Sequence, residues 1–303
     1  THALSAADFA VLGVAVALLF VIAWFAGRRE ESTDDFLLGG RRVPSTVACL
    51  SFVATEISAV TVISVPAVAY SENWMYLQMF FGSAAARLFI AFLFIPVFYK
   101  HSCTTIYEFL KHRFGPETQY AGSLFFFITR LVGSGVRLYV ACLAIKVVLG
   151  CSLEQAVLFF TLVSVAFIAF GGIKAVMWNG AYQAVMFYAA GLAVAGYLLS
   201  QIDGGLAAVW QMAGESRRLE WINTSLNFWD PKTVWAASLN AFFIGLSVFG
   251  TDQEFMQRML TVRTRRASQN ALVATILAGF PLLLLYLSVG TILFVFYQTH
   301  GGP

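Results

Sequence analysis

Four charged residues fall inside otherwise apolar stretches: Glu56, Arg87, Arg130 and Arg137. Ionisable groups in lipid are costly and face either a cavity or one another. Glu56 stands in "SFVATEISAVTVISVP", Ser51 to Pro66. A carboxylate there can lock two helices through an arginine, strengthen a cation site, or carry a proton. Its surroundings are small and hydroxyl-rich, with Ala54, Thr55, Ser58, Ala59, Thr61, Ser64, Pro66 and Ala67. Small residues allow helices to pack closely. The same pattern, interrupted by proline, also suits a discontinuous helix, whose freed carbonyls coordinate a cation and whose half-helix ends meet a solute. A second run, "TVWAASLNAFFIGLSVFGTDQEFMQRML", has a corresponding look, with Gly245, Ser247 and Gly250 near its middle.

Other chemistries find less support. His2, His101, His112 and His300 lie near span ends or in loops and form no HExxH pattern. Cys49, Cys103, Cys142 and Cys151 have no metal-ligand spacing and read as small apolar residues. No P-loop is present, so energy for any pumping should come from an ion gradient rather than from a nucleotide.

The elements that must position these residues follow from composition. The chain is 59% hydrophobic and 12% charged, outside the range of soluble domains. Its apolar runs approach the roughly 20 residues that a spanning helix needs. They do not alternate with period two, which argues against a barrel. The first run is not a signal peptide, because it lacks a basic start and a cleavage site. We read eight spans, at 8–27, 44–70, 74–99, 119–149, 154–171, 175–200, 233–257 and 267–297. With the N-terminus outside, the cytoplasmic loops hold Arg28, Arg29, Arg41, Arg42, Lys100, Lys111, Arg113, Lys174, Arg258, Arg263, Arg265 and Arg266. The outer side holds only Lys146, Arg217, Arg218 and Lys232. This asymmetry fixes the expected orientation. Segment 201–232 is expected as an ordered external loop, carrying a glycosylation-type triplet at Asn223, and 104–115 as a short interfacial helix ended by Gly115-Pro116. Five spans separate the two interrupted helices. They should therefore run in opposite directions, as two inverted five-helix repeats require.

The chain resembles the sodium/solute symporter family, which includes bacterial sialic acid, proline and pantothenate symporters and the sodium/glucose cotransporters. The stretches that carry the resemblance are "DDFLLGGRRVP" (34–44), "FVATEISAVTVISVPAVAY" (52–70), "TTIYEFLKHRFG" (104–115), "GGIKAVMWNGAYQ" (171–183) and "GTDQEFMQRMLTV" (250–262). The resemblance implies an all-α polytopic membrane fold, a leucine-transporter-like five-plus-five inverted repeat preceded by one extra helix. Span 8–27 would be that helix, 44–200 the first repeat, and 233–297 the opening of the second. The chain stops at "THGGP", several helices short of that pattern, and begins without methionine. It is expected to be the N-terminal portion of a longer transporter.

The resemblance also implies roles. Sodium, the coupling ion, would be held by the carbonyls of Ala54 and Ile57, with Glu56 in the cation region and Arg87 as its neutralising partner. Counting about 12 residues from the cytoplasmic end of each span, at about 1.5 Å per residue, puts Glu56 and Arg87 at one depth. Ser58 and Thr61 match solute-side hydroxyls, and Tyr76 and Phe80 would wall the site. Arg137 would receive a solute carboxylate through its planar fork. It lies one turn beyond Gly133, the position where sialic-acid-type members place an arginine. Some members hold an additional sodium with an aspartate after the tryptophan of the "GGI…W" motif. Here Trp178 is followed by Asn179 and Gly180, which points to one coupling ion.

The expected function is therefore sodium-coupled symport, not enzymatic chemistry, with import of a small organic solute, a carboxylate-bearing anion. The protein would cross the cell (inner) membrane many times, as a monomer or weak oligomer, with the lipid bilayer and no nucleic acid as partner. The alternative is a symporter-like sensor region in front of regulatory kinase domains.

Overall fold

The computed structural model describes residues 5–27, 32–227 and 229–301. Arg28, Arg29 and His2 lie outside them. Among the described residues all regular elements are helices, with one isolated bridge between Val43 and Val262. In order they are α1 (Ala6–Gly27), α2 (Thr33–Leu38), α3 (Ser45–Glu56), α4 (Ala59–Ser71), α5 (Gln78–Phe89), α6 (Ile95–Lys100), α7 (Ile106–Phe114), α8 (Pro116–Leu149), α9 (Leu153–Ser200), α10 (Gly205–Glu215), α11 (Val234–Gly245), α12 (Gln253–Leu260) and α13 (Arg265–His300). A π turn, Ile90–Phe94, joins α5 to α6, and another, Leu246–Gly250, extends α11.

Polar caps fix where helices begin. Thr105 accepts from the Glu108 N–H at 3.3 Å, while the Glu108 carboxylate accepts from the Thr104 N–H at 2.6 Å. Ser152 and Gln155 form a reciprocal capping box at the start of α9. Among the described residues five helices are long and apolar enough to cross a membrane, and counting each of two bent pairs as one span brings this to seven. Leu153–Phe167 is a shorter apolar helix.

The second span is interrupted as expected, though not by its proline: Pro66 sits inside α4. The chain breaks at Ile57 and Ser58, where the two halves bend by 63°. The spans expected at 154–171 and 175–200 are the two arms of α9, separated at Gly172 (φ 46°, ψ −154°), a non-helical backbone region open to glycine. The segment expected as external loop contains a helix, α10.

The contacts at the two ends of the bundle group the loops as charge asymmetry groups them. At one end the Val43 N–H donates to the Thr261 carbonyl, Arg41 to the Cys103 carbonyl, and Tyr99 to the Met259 carbonyl. At the other, Lys232 pairs with Glu72 at 3.0 Å, and Arg218 donates to the Tyr70 and Glu72 carbonyls. The chain thus enters α3 beside the place where it leaves α12, and leaves α4 beside the place where it enters α11. The two bent spans run in opposite directions.

Inside, α3 is buried on nearly every side, and Phe52, Phe249 and Phe255 form an aromatic cluster with centroids 4.9–5.4 Å apart. Helix α9 presses against it at Gly180, where an added Cβ would lie 2.9 Å from Ser51 Cα. Only glycine allows this approach.

Candidate functional site

The break between α3 and α4 creates the site. Helix α3 ends at Glu56 and α4 starts with Ser58 as its N-cap residue. Among the described residues, no N–H group donates to the carbonyls of Ala54 or Ile57. Buried carbonyls are ordinarily paired, so two acceptors are left available at the bend. Oxygen donors of this kind suit a hard cation.

Beside the break lies a cavity of about 200 Å³ between α4, α5, α11 and α13. Glu56, Ile57, Thr61, Tyr76 and Phe80 line it, together with Ser83, Phe249, Gly279 and Tyr286. Ala54 and Ser58 are not among its lining residues. Nor is Arg137.

Glu56 is the only charged residue on the cavity wall among the described residues. One of its oxygens accepts from Arg87 Nη2, and the other has no hydrogen-bond partner among the described residues. The arginine side chain is 1% exposed and the glutamate 29%. Arg87 stands behind the wall, its guanidinium 4.8 Å from the Phe249 ring centre and 5.9 Å from that of Phe52. Its Nη1 donates to the Thr275 carbonyl at 3.4 Å, and its Nε is buried without a partner. The pair is neutral as a whole, yet the cavity meets its negative end.

Arg137 belongs to a different cluster, at the bend of 62° between α11 and α12. Arg130 donates to Asp252 and to Glu254, and Arg137 lies 3.6 Å from Glu254. Arg258 donates to the Glu254 carbonyl at 2.6 Å and to Ser51 Oγ at 3.2 Å. Asp252 meanwhile caps α12, accepting from the Glu254 N–H at 2.8 Å. The expectation that Arg137 faces the solute gives way here to a pairing with Glu254. Sequence reasoning found Arg130 without its partners; the acids in "GTDQE" directly after a bend were the available signal.

Asn179, at the position following Trp178, is buried and donates to the Leu19 carbonyl of α1. Gly180 meets Ser51 of α3. Neither position supplies a carboxylate.

A family model described as the sodium:solute symporter family matches residues 36–301. The chain is 28% identical over 294 residues to the sodium/sialic acid symporter NanT of Aliivibrio fischeri, covering 96% of this chain and 57% of that protein. It is 30% identical over 302 residues to the sodium-coupled monocarboxylate transporter 2 of Danio rerio, covering 96% and 47%. A solved structure of a Na+-coupled sialic acid symporter, in a substrate-bound outward-open state, superposes with a TM-score of 0.89 at 23% identity. That match covers 96% of this chain and 62% of the other. The chain spans about half the length of the curated relatives it matches.

Proposed function

The chain belongs to the sodium:solute symporter family, and from that premise we propose that the protein imports a small organic solute by sodium-coupled symport. The observation that carries this reading is the cavity at the α3–α4 break, with an acid on its wall and two free carbonyls beside it. Sodium is the proposed coupling ion, held by the carbonyls of Ala54 and Ile57. Glu56 strengthens the site by its charge, and Arg87 offsets part of that charge. The solute occupies the cavity against Thr61, Tyr76 and Phe80, with Ser58 at the break as a further hydroxyl. Ion and solute then share one bend, so each favours the conformation that binds the other.

The relatives named above are transporters of sialic acid and of monocarboxylates, which favours a carboxylate-bearing solute. The proposed architecture is a five-plus-five inverted repeat, with 8–27 as the extra helix, 44–200 as the first repeat, 201–232 as an external segment and 233–297 opening the second. The opposed directions of the two bent spans support it. We place the protein in the cell (inner) membrane with its N-terminus outside.

The test is uptake into proteoliposomes holding the full-length protein. An inward sodium gradient should drive solute above its equilibrium level. Uptake indifferent to sodium and driven by a pH gradient would overturn the sodium reading and make Glu56 a proton carrier.

A further inference from the structure

A second cavity, of about 440 Å³, lies away from the proposed solute path, between α5–α6, α7 and the bend of α11–α12. Its walls are apolar: Leu93, Phe94, Val97, Phe109 and Leu110, with Tyr107 and Thr251 as the polar exceptions. Leu93 and Phe89 at its mouth are 52% and 40% exposed. On a membrane-spanning helix such a mouth faces lipid tails rather than water. A polar solute has little to bind there.

The groove runs into a basic end. Lys100 follows Val97 by three residues on α6, so the two share a face of that helix. Arg113 likewise follows Ile106 and Phe109 by seven and four on α7. Both are exposed. Rings connect the groove to this end: Phe94 meets Phe98, Phe98 meets Phe109, and Phe109 meets His101, with centroids 5.9–6.4 Å apart. His101 stacks in turn on His112 at 5.4 Å.

We propose that this groove binds an anionic phospholipid, one acyl chain lying between α6 and α7 and the phosphate held by Lys100 and Arg113. An apolar groove that ends in cations at the edge of the bilayer matches a lipid's own division into tail and anionic headgroup. The inner end of the groove is Gly250 and Thr251, directly before the capping Asp252. Gly250 is packed on Phe94 so closely that an added Cβ would lie 2.8 Å from its ring. A bound tail therefore braces the α11–α12 bend, and the lipid tunes how readily that bend moves. This goes beyond the transport reading and does not depend on it, since its readout is lipid binding.

The test uses purified, delipidated full-length protein titrated with dioleoylphosphatidylglycerol or dioleoylphosphatidylcholine, followed by thermal melting and by native mass spectrometry. The anionic lipid should stabilise saturably and remain bound, and the zwitterionic lipid should do so less. Lys100→Gln with Arg113→Gln should abolish the difference between the two lipids while keeping the fold. Val97→Trp, which fills the groove, should lower occupancy by both. If that variant does not fold, Leu93→Trp at the exposed mouth serves instead. Equal response to both lipids, a preference that survives the double substitution, or full occupancy after groove filling would overturn the proposal. So would inorganic phosphate reproducing the whole stabilisation.

Discussion

Arg87 reaches Glu56 from α5 across the break that ends α3, and does so as a nearly inaccessible cation whose Nε has no partner. The arginine thus depends on the acid more than the acid depends on the arginine. Removing one partner of a buried ion pair typically costs about 3–5 kcal/mol, because the other charge is stranded. Glu56→Gln should strand Arg87, but an amide oxygen still accepts a hydrogen bond and softens the loss. Arg87→Gln leaves a part-exposed carboxylate that the cavity can hydrate or protonate. We expect Glu56→Gln to fold and to need more sodium for half-maximal uptake. Glu56→Ala should express poorly, with recovery when Arg87→Met is added. Unchanged sodium affinity in well-folded Glu56→Gln would falsify the cation role and leave the pair as a helix lock.

Arg130 and Arg137 offer a contrast on one helix. Arg130 holds two carboxylates and is 19% exposed, whereas Arg137 is 45% exposed with one contact at 3.6 Å. Exposed pairs contribute about 0–1 kcal/mol. Arg130→Gln should therefore lower the melting temperature markedly, and Arg137→Gln should barely change it. Because Arg137 does not line the cavity, Arg137→Lys should leave solute affinity within about twofold. A large loss of solute affinity with intact stability would restore Arg137 to the solute. Ligand binding by calorimetry and thermal melting of the purified variants separate the two outcomes.

Local signals in the sequence were enough for most of the apolar helices and for the short helix that ends at Gly115-Pro116. The run around Glu56 points to an interruption, and the carbonyl positions at Ala54 and Ile57 stand beside it. A proline is the visible helix breaker, yet Pro66 is accommodated within α4, and the chain opens ten and eight residues earlier, between Glu56 and Ser58. What sets the break is where carbonyls lose their partners, and no residue type marks that. The separation of two spans near Gly172 was legible, because glycines and Lys174 interrupt the apolar run there. Long-range pairings were the least legible part. Arg130 and its acids are separated by 122 and 124 residues, and one sequence holds no record of such proximity. The Glu56–Arg87 pair, 31 residues apart, was reachable by counting depth along two adjacent spans.

The grouping of loops at the two ends gives a direct test of sidedness. Ser216 lies beyond α10, near the end where Arg218 meets Tyr70, and Arg263 follows α12 at the end where Val43 meets Thr261. Both are exposed, so a cysteine at either should react without disturbing the core. With the native cysteines replaced, a membrane-impermeant maleimide applied to intact cells should label Ser216→Cys and spare Arg263→Cys. The opposite pattern would invert the orientation. Labelling of both positions would break the shared-end geometry itself.

The contact between Gly180 and Ser51 bears on the number of coupling ions. Members of the family that hold an additional sodium are expected to use an acid after the tryptophan of the motif, and here Asn179 and Gly180 stand in that place. Asn179 turns toward α1 and Gly180 has no room for a side chain. The sodium dependence of uptake should therefore show a Hill coefficient of about one, since the coefficient is bounded by the number of sites. Gly180→Ala should be destabilising by about 1–3 kcal/mol, because the methyl group must push α9 away from α3. Gly180→Asp adds a larger and charged group to the same contact, so it should fold worse than the alanine variant and gain no second sodium. Uptake kinetics in proteoliposomes and thermal melting of the two variants check this. A native coefficient approaching two would mean that other residues supply a second site. A stable Gly180→Asp protein with steeper sodium dependence would mean that α3 and α9 can separate enough to make room for one.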